Sequence, residues 1–167
     1  MDETKKKTAL RMIPYGLYVL TAAGQEGKIS AATINWVTQA SFHPPLLVAC
    51  VRGDSSIHAA IQHSGAFALH ILAKDQQATA FTFFKPVAPE GQTIGGMAFS
   101  PGQTGSPVLH GVPAFLECRL SAAVGKGDHT VFVGEVVAAN APDHIEGRSD
   151  EATLWLKDLG KNIYYGG

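Results

Sequence analysis

Three stretches of the chain gather side chains whose types suit a definite chemistry. In Arg52-Gly53-Asp54-Ser55-Ser56-Ile57-His58 an apolar run, Leu46 to Arg52, passes into a cap-rich helix start. The first turn of a helix presents unpaired N–H groups and a partial positive charge, so it receives phosphate readily. Ser55 and Ser56 add hydroxyl donors, Arg52 adds a permanent cation, and His58 adds a further donor one turn in. The same residues also describe Asp54 and Ser55 merely capping a helix beside a solvated Arg52.

The second stretch is Ser30-Ala31-Ala32-Thr33-Ile34-Asn35-Trp36-Val37-Thr38. Small residues at its start let a flat ligand approach the main chain closely. Donors along Thr33 to Trp36 would then face the acceptor edge of a redox-active ring and stabilise the negative charge that reduction creates. Trp36 either covers such a ring or fills the core. The third stretch, Gly127-Asp128-His129, ends a glycine-rich reversal. A histidine there is open to a ligand and holds or gives a proton near neutral pH, although most turn histidines are simply solvated. Other chemistries find no support, since GxSxG, HExxH and GxxxxGKS strings are missing. His58 and His63 fall on different helix faces, so no metal site is expected.

The elements that must position these residues read as short strands between frequent glycines and prolines. Gly16 to Ala22 is the first; Lys28 to Ser41 is a long second, stopped by Pro44-Pro45; Leu46 to Arg52 reads as an apolar central strand. Ala66 to Ala73 follows. Ala114 to Val124 alternates in character and turns through Gly125-Lys126-Gly127-Asp128 into His129 to Ala139, the clearest hairpin. Trp155 to Leu159 reads as a final strand. Helices are expected over Asp54 to His63, ending at Gly65, over Asp75 to Phe84, and in a short N-terminal piece closed by Met12 before Pro14. The glycine- and proline-rich stretch 86–111 is expected to carry little regular structure and to serve as a lid or binding edge.

At 167 residues, with 46% apolar and 16% charged residues, the chain suits one globular domain spanning 1–167. A net charge of -1 gives no pull toward nucleic acid or an anionic membrane. The lysine run Lys5 to Lys7 is a solvated tail, and no segment is long and apolar enough for a membrane span or a secretory leader. Cys50 and Cys118 form no CxxC pair, which makes the cytoplasm the expected setting.

Taken together, the segments resemble the flavin reductase-like family, the FMN-binding split barrels, from Leu10 to about Ala139. The resemblance rests on Gly16-Leu17-Tyr18-Val19-Leu20-Thr21, on Asn35-Trp36-Val37-Thr38-Gln39-Ala40-Ser41 with Pro44-Pro45-Leu46, and on Ser64-Gly65-Ala66-Phe67. Its most specific piece is Gly127-Asp128-His129-Thr130-Val131-Phe132-Val133-Gly134-Glu135-Val136. The start is also similar to flavoredoxin and to the flavin domain of rubredoxin-fused flavoproteins, without their rubredoxin cysteines.

The resemblance implies a mainly β fold, a Greek-key split β-barrel with a few short helices, forming a homodimer with FMN in a groove near the subunit contact. It places Ala31, Ala32, Thr33, Ile34, Asn35, Trp36 and Val37 along the isoalloxazine, with Cys50, Val51 and Arg52 on the adjoining strand end. Ser55, Ser56 and His58 form the phosphate turn, and His129 stands near the nicotinamide as the catalytic residue. The implied activity is hydride transfer from NAD(P)H to FMN, with electrons passed to free flavin or a redox partner protein. Two alternatives stand beside it: a carrier that keeps FMN bound and serves a separate protein or ferric acceptor, and a non-catalytic barrel for another ligand.

Overall fold

β-branched and aromatic residues between turn formers give eleven strands in the computed structural model, which describes residues 1–166. They are β1 (Tyr18–Ala23), β2 (Ile29–Ile34), β3 (Val37–Ser41), β4 (Leu46–Arg52), β5 (Ala66–Ile71), β6 (Pro89–Glu90), β7 (Thr93–Ile94), β8 (Met97–Pro101), β9 (Pro107–Leu109), β10 (Ala114–Gly125) and β11 (His129–Asn140). Three α-helices accompany them: α1 (Glu3–Arg11), α2 (Ser56–Ser64) and α3 (Gln77–Thr82). Seven strands form one antiparallel sheet in the order β2-β1-β5-β10-β11-β4-β3, and the other four form a small second sheet.

The large sheet is curled. Its two edge strands, β2 and β3, are consecutive in the chain with only Asn35 and Trp36 between them. Cα atoms are 3.8 Å apart along the chain, so so short a link holds the two edges close together. A single apolar cluster confirms the curl, because every strand of the sheet feeds it. Leu20 of β1, Leu47, Ala49 and Val51 of β4, Phe67 and Leu69 of β5, Cys118 of β10 and Phe132 of β11 meet there, with Ala32, Ile34 and Val37 packed alongside. Helix α2 adds Ile57, Ala60 and Ile61 to the same cluster. Gly65 ends α2 in the left-handed conformation, at φ 64°, and its N–H donates to the Ile61 carbonyl at 2.9 Å. Gly134 is needed for a different reason: a Cβ there would stand 2.7 Å from the Phe67 ring and 2.8 Å from Cys118 Cβ. A second cluster on the outer face joins Leu17 and Val19 to Leu72, Phe83, Ile94, Leu109 and Leu154.

The fold class is the one the sequence leads one to expect, a mainly β, curled antiparallel half-barrel, but five elements differ. The long strand expected over Lys28 to Ser41 is broken, because the Val37 N–H turns back to the Asn35 carbonyl at 3.1 Å. Strand β4 is apolar yet lies next to the edge, and the strands of the large sheet buried through most of their length are β1 and β5. The stretch 86–111 holds the whole second sheet. Trp155 to Leu159 forms no strand; Leu156–Leu159 is a 3-10 turn, and only single bridges, Gly16 to Trp155 and Ala73 to Thr153, tie this region down. Helix α3 is shorter than expected. Among the described residues, no helix is long and apolar enough to cross a membrane.

Buried His70 on β5 bonds to two residues of the outer cluster, one on β1 and one on β9. Its Nδ1–H donates to the Val19 carbonyl at 3.0 Å, and its Nε2 accepts the Leu109 N–H at 2.9 Å. A ring holding one donor and one acceptor partner is neutral. Burial pulls its pKa from 6.5 down to about 4. The unfolded chain therefore takes up a proton first as pH falls, so this stabilisation is complete above 6.5 and is lost toward 4. Urea unfolding should show stability lower by about 2 kcal/mol at pH 5 than at pH 7. A flat profile across that window, or an imidazolium signal from His70 in the folded protein at pH 5, would contradict the assignment.

Candidate functional site

Register fixes the centre of the site. In the β4–β11 ladder His129 pairs with Arg52, Thr130 with Val51 and Val131 with Cys50, so the first residue of one strand faces the last of the other. The β2–β3 link lies beside this end, where the Trp36 carbonyl accepts the Cys50 N–H at 2.9 Å. Helix α2 begins there too. A cleft of about 420 Å³ opens between these elements, a volume suited to a small-molecule ligand.

Ala32, Thr33, Ile34 and Asn35 line the cleft from β2 and the link, Cys50, Val51 and Arg52 from β4, Ser55 from the cap of α2, and His129 from β11. Trp36 walls an adjoining depression of about 600 Å³ that shares Arg52 and His129 with the cleft. Four expected site residues point elsewhere. Ala31 is buried in the outer cluster and Val37 packs against the inner one. Ser56 is exposed on the first turn of α2. His58 is buried, its Nε2 2.8 Å from Thr130 Oγ1 and its ring 5.1 Å from that of Phe132. It lies three residues before Ile61 on the apolar stripe of α2, a phase that was readable in the sequence.

The polar groups are poised differently from one another. Asn35 Nδ2 and Trp36 Nε1 are buried and have no hydrogen-bond partner among the described residues. A buried orphan donor costs about 1–3 kcal/mol, so each of the two is a group that an incoming acceptor would satisfy, Asn35 at the cleft and Trp36 at the adjoining depression. The Thr33 N–H is spoken for: it donates to the Phe83 carbonyl at 3.0 Å, while Thr33 Oγ1 donates to the Ala80 carbonyl at 2.8 Å. These bonds tether α3 to β2 and bring Phe83 and Phe84 to the cleft.

Ser55 caps α2, accepting the His58 N–H at 3.3 Å and donating to the Arg52 carbonyl at 2.7 Å. Arg52 forms a two-point ion pair with Asp54, its Nε 2.9 Å from Oδ1, which holds the Asp54 carboxyl below the ordinary range. Burial pushes the Cys50 thiol up, away from thiolate chemistry.

His129 is less open than its turn position suggests, with its side chain only 13% exposed. The Trp36 ring lies 4.6 Å from it, centroid to centroid, and the Tyr165 ring 6.0 Å, with these two rings themselves 5.4 Å apart. Its Nδ1 is 2.9 Å from Asp128 Oδ1, and this hydrogen bond draws the Asp128 carboxyl below its ordinary pKa. An ionised carboxylate only accepts, so Nδ1 carries the hydrogen and Nε2 is the working end of the ring. Besides Phe83 and Phe84, the residues that sequence reasoning missed are Leu17, Ile57, Leu156 and the run Ile163-Tyr164-Tyr165. Adjacent tyrosines beyond the last regular element were a visible signal, because a short aromatic run needs something to cover.

A family model described as the flavin reductase like domain matches residues 10–159. The chain belongs to this family. A "Flavin reductase (NADH)" of Kitasatospora aureofaciens is 34% identical over 128 residues, covering 75% of this chain and 65% of that protein. The chain thus spans just under two thirds of that relative's length. An "FMN reductase (NADH)" of Agrobacterium fabrum is 35% identical over 133 residues, covering 80% of this chain and 74% of the other. Among solved structures, the styrene monooxygenase flavin reductase of Pseudomonas putida S12 superposes with a TM-score of 0.70 at 28% identity, covering 83% of this chain and 86% of that one. The cleft of this flavin reductase-like domain is thus built where the sheet's two edges come together.

Proposed function

We propose that this flavin reductase-like domain is an NAD(P)H-dependent flavin oxidoreductase, acting as a single unit with FMN in the 420 Å³ cleft. The observation that carries the reading is the pair of buried, unpartnered donors, Asn35 Nδ2 and Trp36 Nε1, on the link beside that cleft. The relatives whose names specify NADH and flavin support it. FMN, when bound, supplies the hydride acceptor for NAD(P)H and the store from which electrons leave.

The chain's own residues do the rest. Asn35 and Trp36 meet acceptor atoms at the edge of the flat ring, and small Ala32 lets the ring lie close to β2. Apolar Leu17, Ile57 and Phe83 exclude water, which strengthens every polar contact inside. The start of α2, with Ser55 at its cap, and Arg52 take the phosphate, which competes with Asp54 for the guanidinium. His129, oriented by Asp128, presents the Nε2 lone pair to a carboxamide N–H of the nicotinamide. FMN retained for a separate acceptor is a second reading, favoured by the Ile163-Tyr164-Tyr165 run along the cleft. The exposed apolar side chains Phe42, Val124 and Val137 support a homodimer, and two free thiols support a reducing, cytoplasmic setting.

Arg52→Ala should weaken FMN binding about tenfold, or about 1.4 kcal/mol, because it removes a cation and leaves Asp54 unpaired beside the phosphate. Unchanged affinity by fluorescence titration would remove the phosphate assignment. His129→Ala should slow flavin bleaching by NADH without air while flavin stays bound, and an equal rate would refute the role of His129.

A further inference from the structure

The segment 160–166 does something that flavin binding alone does not call for. Tyr165 Oη lies 2.8 Å from His129 Nε2, and its ring packs against Trp36 at a centroid distance of 5.4 Å. With Nδ1–H given to Asp128, the Nε2 lone pair accepts the Tyr165 hydroxyl hydrogen, so the one free end of the histidine is taken. Gly166 follows immediately, so close to Trp36 that an added Cβ would stand 3.0 Å from the ring. A phenol ring and a hydroxyl therefore fill the place where a flat ring bearing a carboxamide would have to lie to reach His129.

The hold on this segment is light. Among the described residues, its only internal backbone hydrogen bond is Ile163 N–H to the Gly160 carbonyl at 3.2 Å. From outside, Arg11 lies over the Tyr164 ring at 4.5 Å and its Nε reaches the Gly166 carbonyl at 3.5 Å. Ile163 also packs, half-buried, against the outer cluster, while the contacts of the exposed Tyr164 and Tyr165 are of the kind individually worth about a kilocalorie or less.

We propose that Tyr165 is a gating residue: it and a nicotinamide carboxamide are mutually exclusive partners of His129 Nε2, so the dinucleotide must lift the segment 163–166 to bind. The proposal rests on the reading of the cleft given above. It makes Tyr165 a competitor of the nicotinamide and Arg11 the latch that restores it. The affinity for the dinucleotide is then lowered by the cost of opening.

The test uses FMN-loaded protein and oxidised NAD+, which binds without reacting. Hydrogen exchange in a peptide covering 160–166 should rise when NAD+ is added to the wild type. Calorimetry should find NAD+ bound about three- to tenfold more tightly by Tyr165→Ala, with Tyr165→Phe between the two. Unchanged or increased protection of the segment on NAD+ addition overturns the proposal, as does equal or weaker NAD+ binding by Tyr165→Ala. If the wild type binds FMN and is bleached by NADH while either of those results holds, the gate alone falls. A wild type that neither binds FMN nor is bleached removes the underlying reading and the gate together.

Discussion

Two residues, Asn35 and Trp36, join strands that lie at opposite edges of a seven-stranded sheet, and the remaining architecture is obliged to accommodate that short link. Because β2 and β3 must nearly touch, the sheet curls, and curling gathers one face of all seven strands into a single apolar cluster. The link itself cannot join the ladder fully, since the Val37 N–H is spent on the Asn35 carbonyl. Its side chains carry buried donors that find no partner among the described residues. The same constraint that closes the half-barrel thus creates the polar edge of the cleft.

The other site groups are placed by register and by tethers. Antiparallel pairing of β4 with β11 sets Arg52 across from His129, which puts a guanidinium and an imidazole at one strand end. Thr33 ties α3 to β2 through two hydrogen bonds and so brings in the aromatic wall of Phe83 and Phe84. Asp128 orients the His129 ring from the hairpin turn. Each of these is a local bond acting on a group that the fold has already brought near.

Much of this was legible in the chain. The β4 bounds, Leu46 to Arg52, and the β10–β11 hairpin follow from apolar runs and a glycine-rich reversal, and Gly65 marks the end of α2. What escaped has physical reasons. The break at Asn35 and Trp36 carries no glycine or proline, because the turn is made by a single backbone hydrogen bond. Strands as short as β6 and β7, two residues each, are below what alternation can reveal. Trp155 to Leu159 has strand-like composition, yet Leu156 packs into the outer cluster, Leu159 lies against it, and only a single bridge forms, at Trp155. At the site, the types of Arg52, Ser55, Asn35 and His129 announced a chemistry, whereas which face His58 takes and which partner Tyr165 finds depend on packing from distant parts of the chain.

The account stands or falls on where a flavin sits. A crystal structure of the protein soaked with FMN tests it most directly. The account predicts the ring against Ala32 and the Asn35–Trp36 link, with a ring carbonyl or nitrogen within hydrogen-bonding reach of Asn35 Nδ2 and the phosphate at Ser55 and Arg52. FMN bound anywhere else, or a cleft that stays empty at saturating FMN, would contradict it.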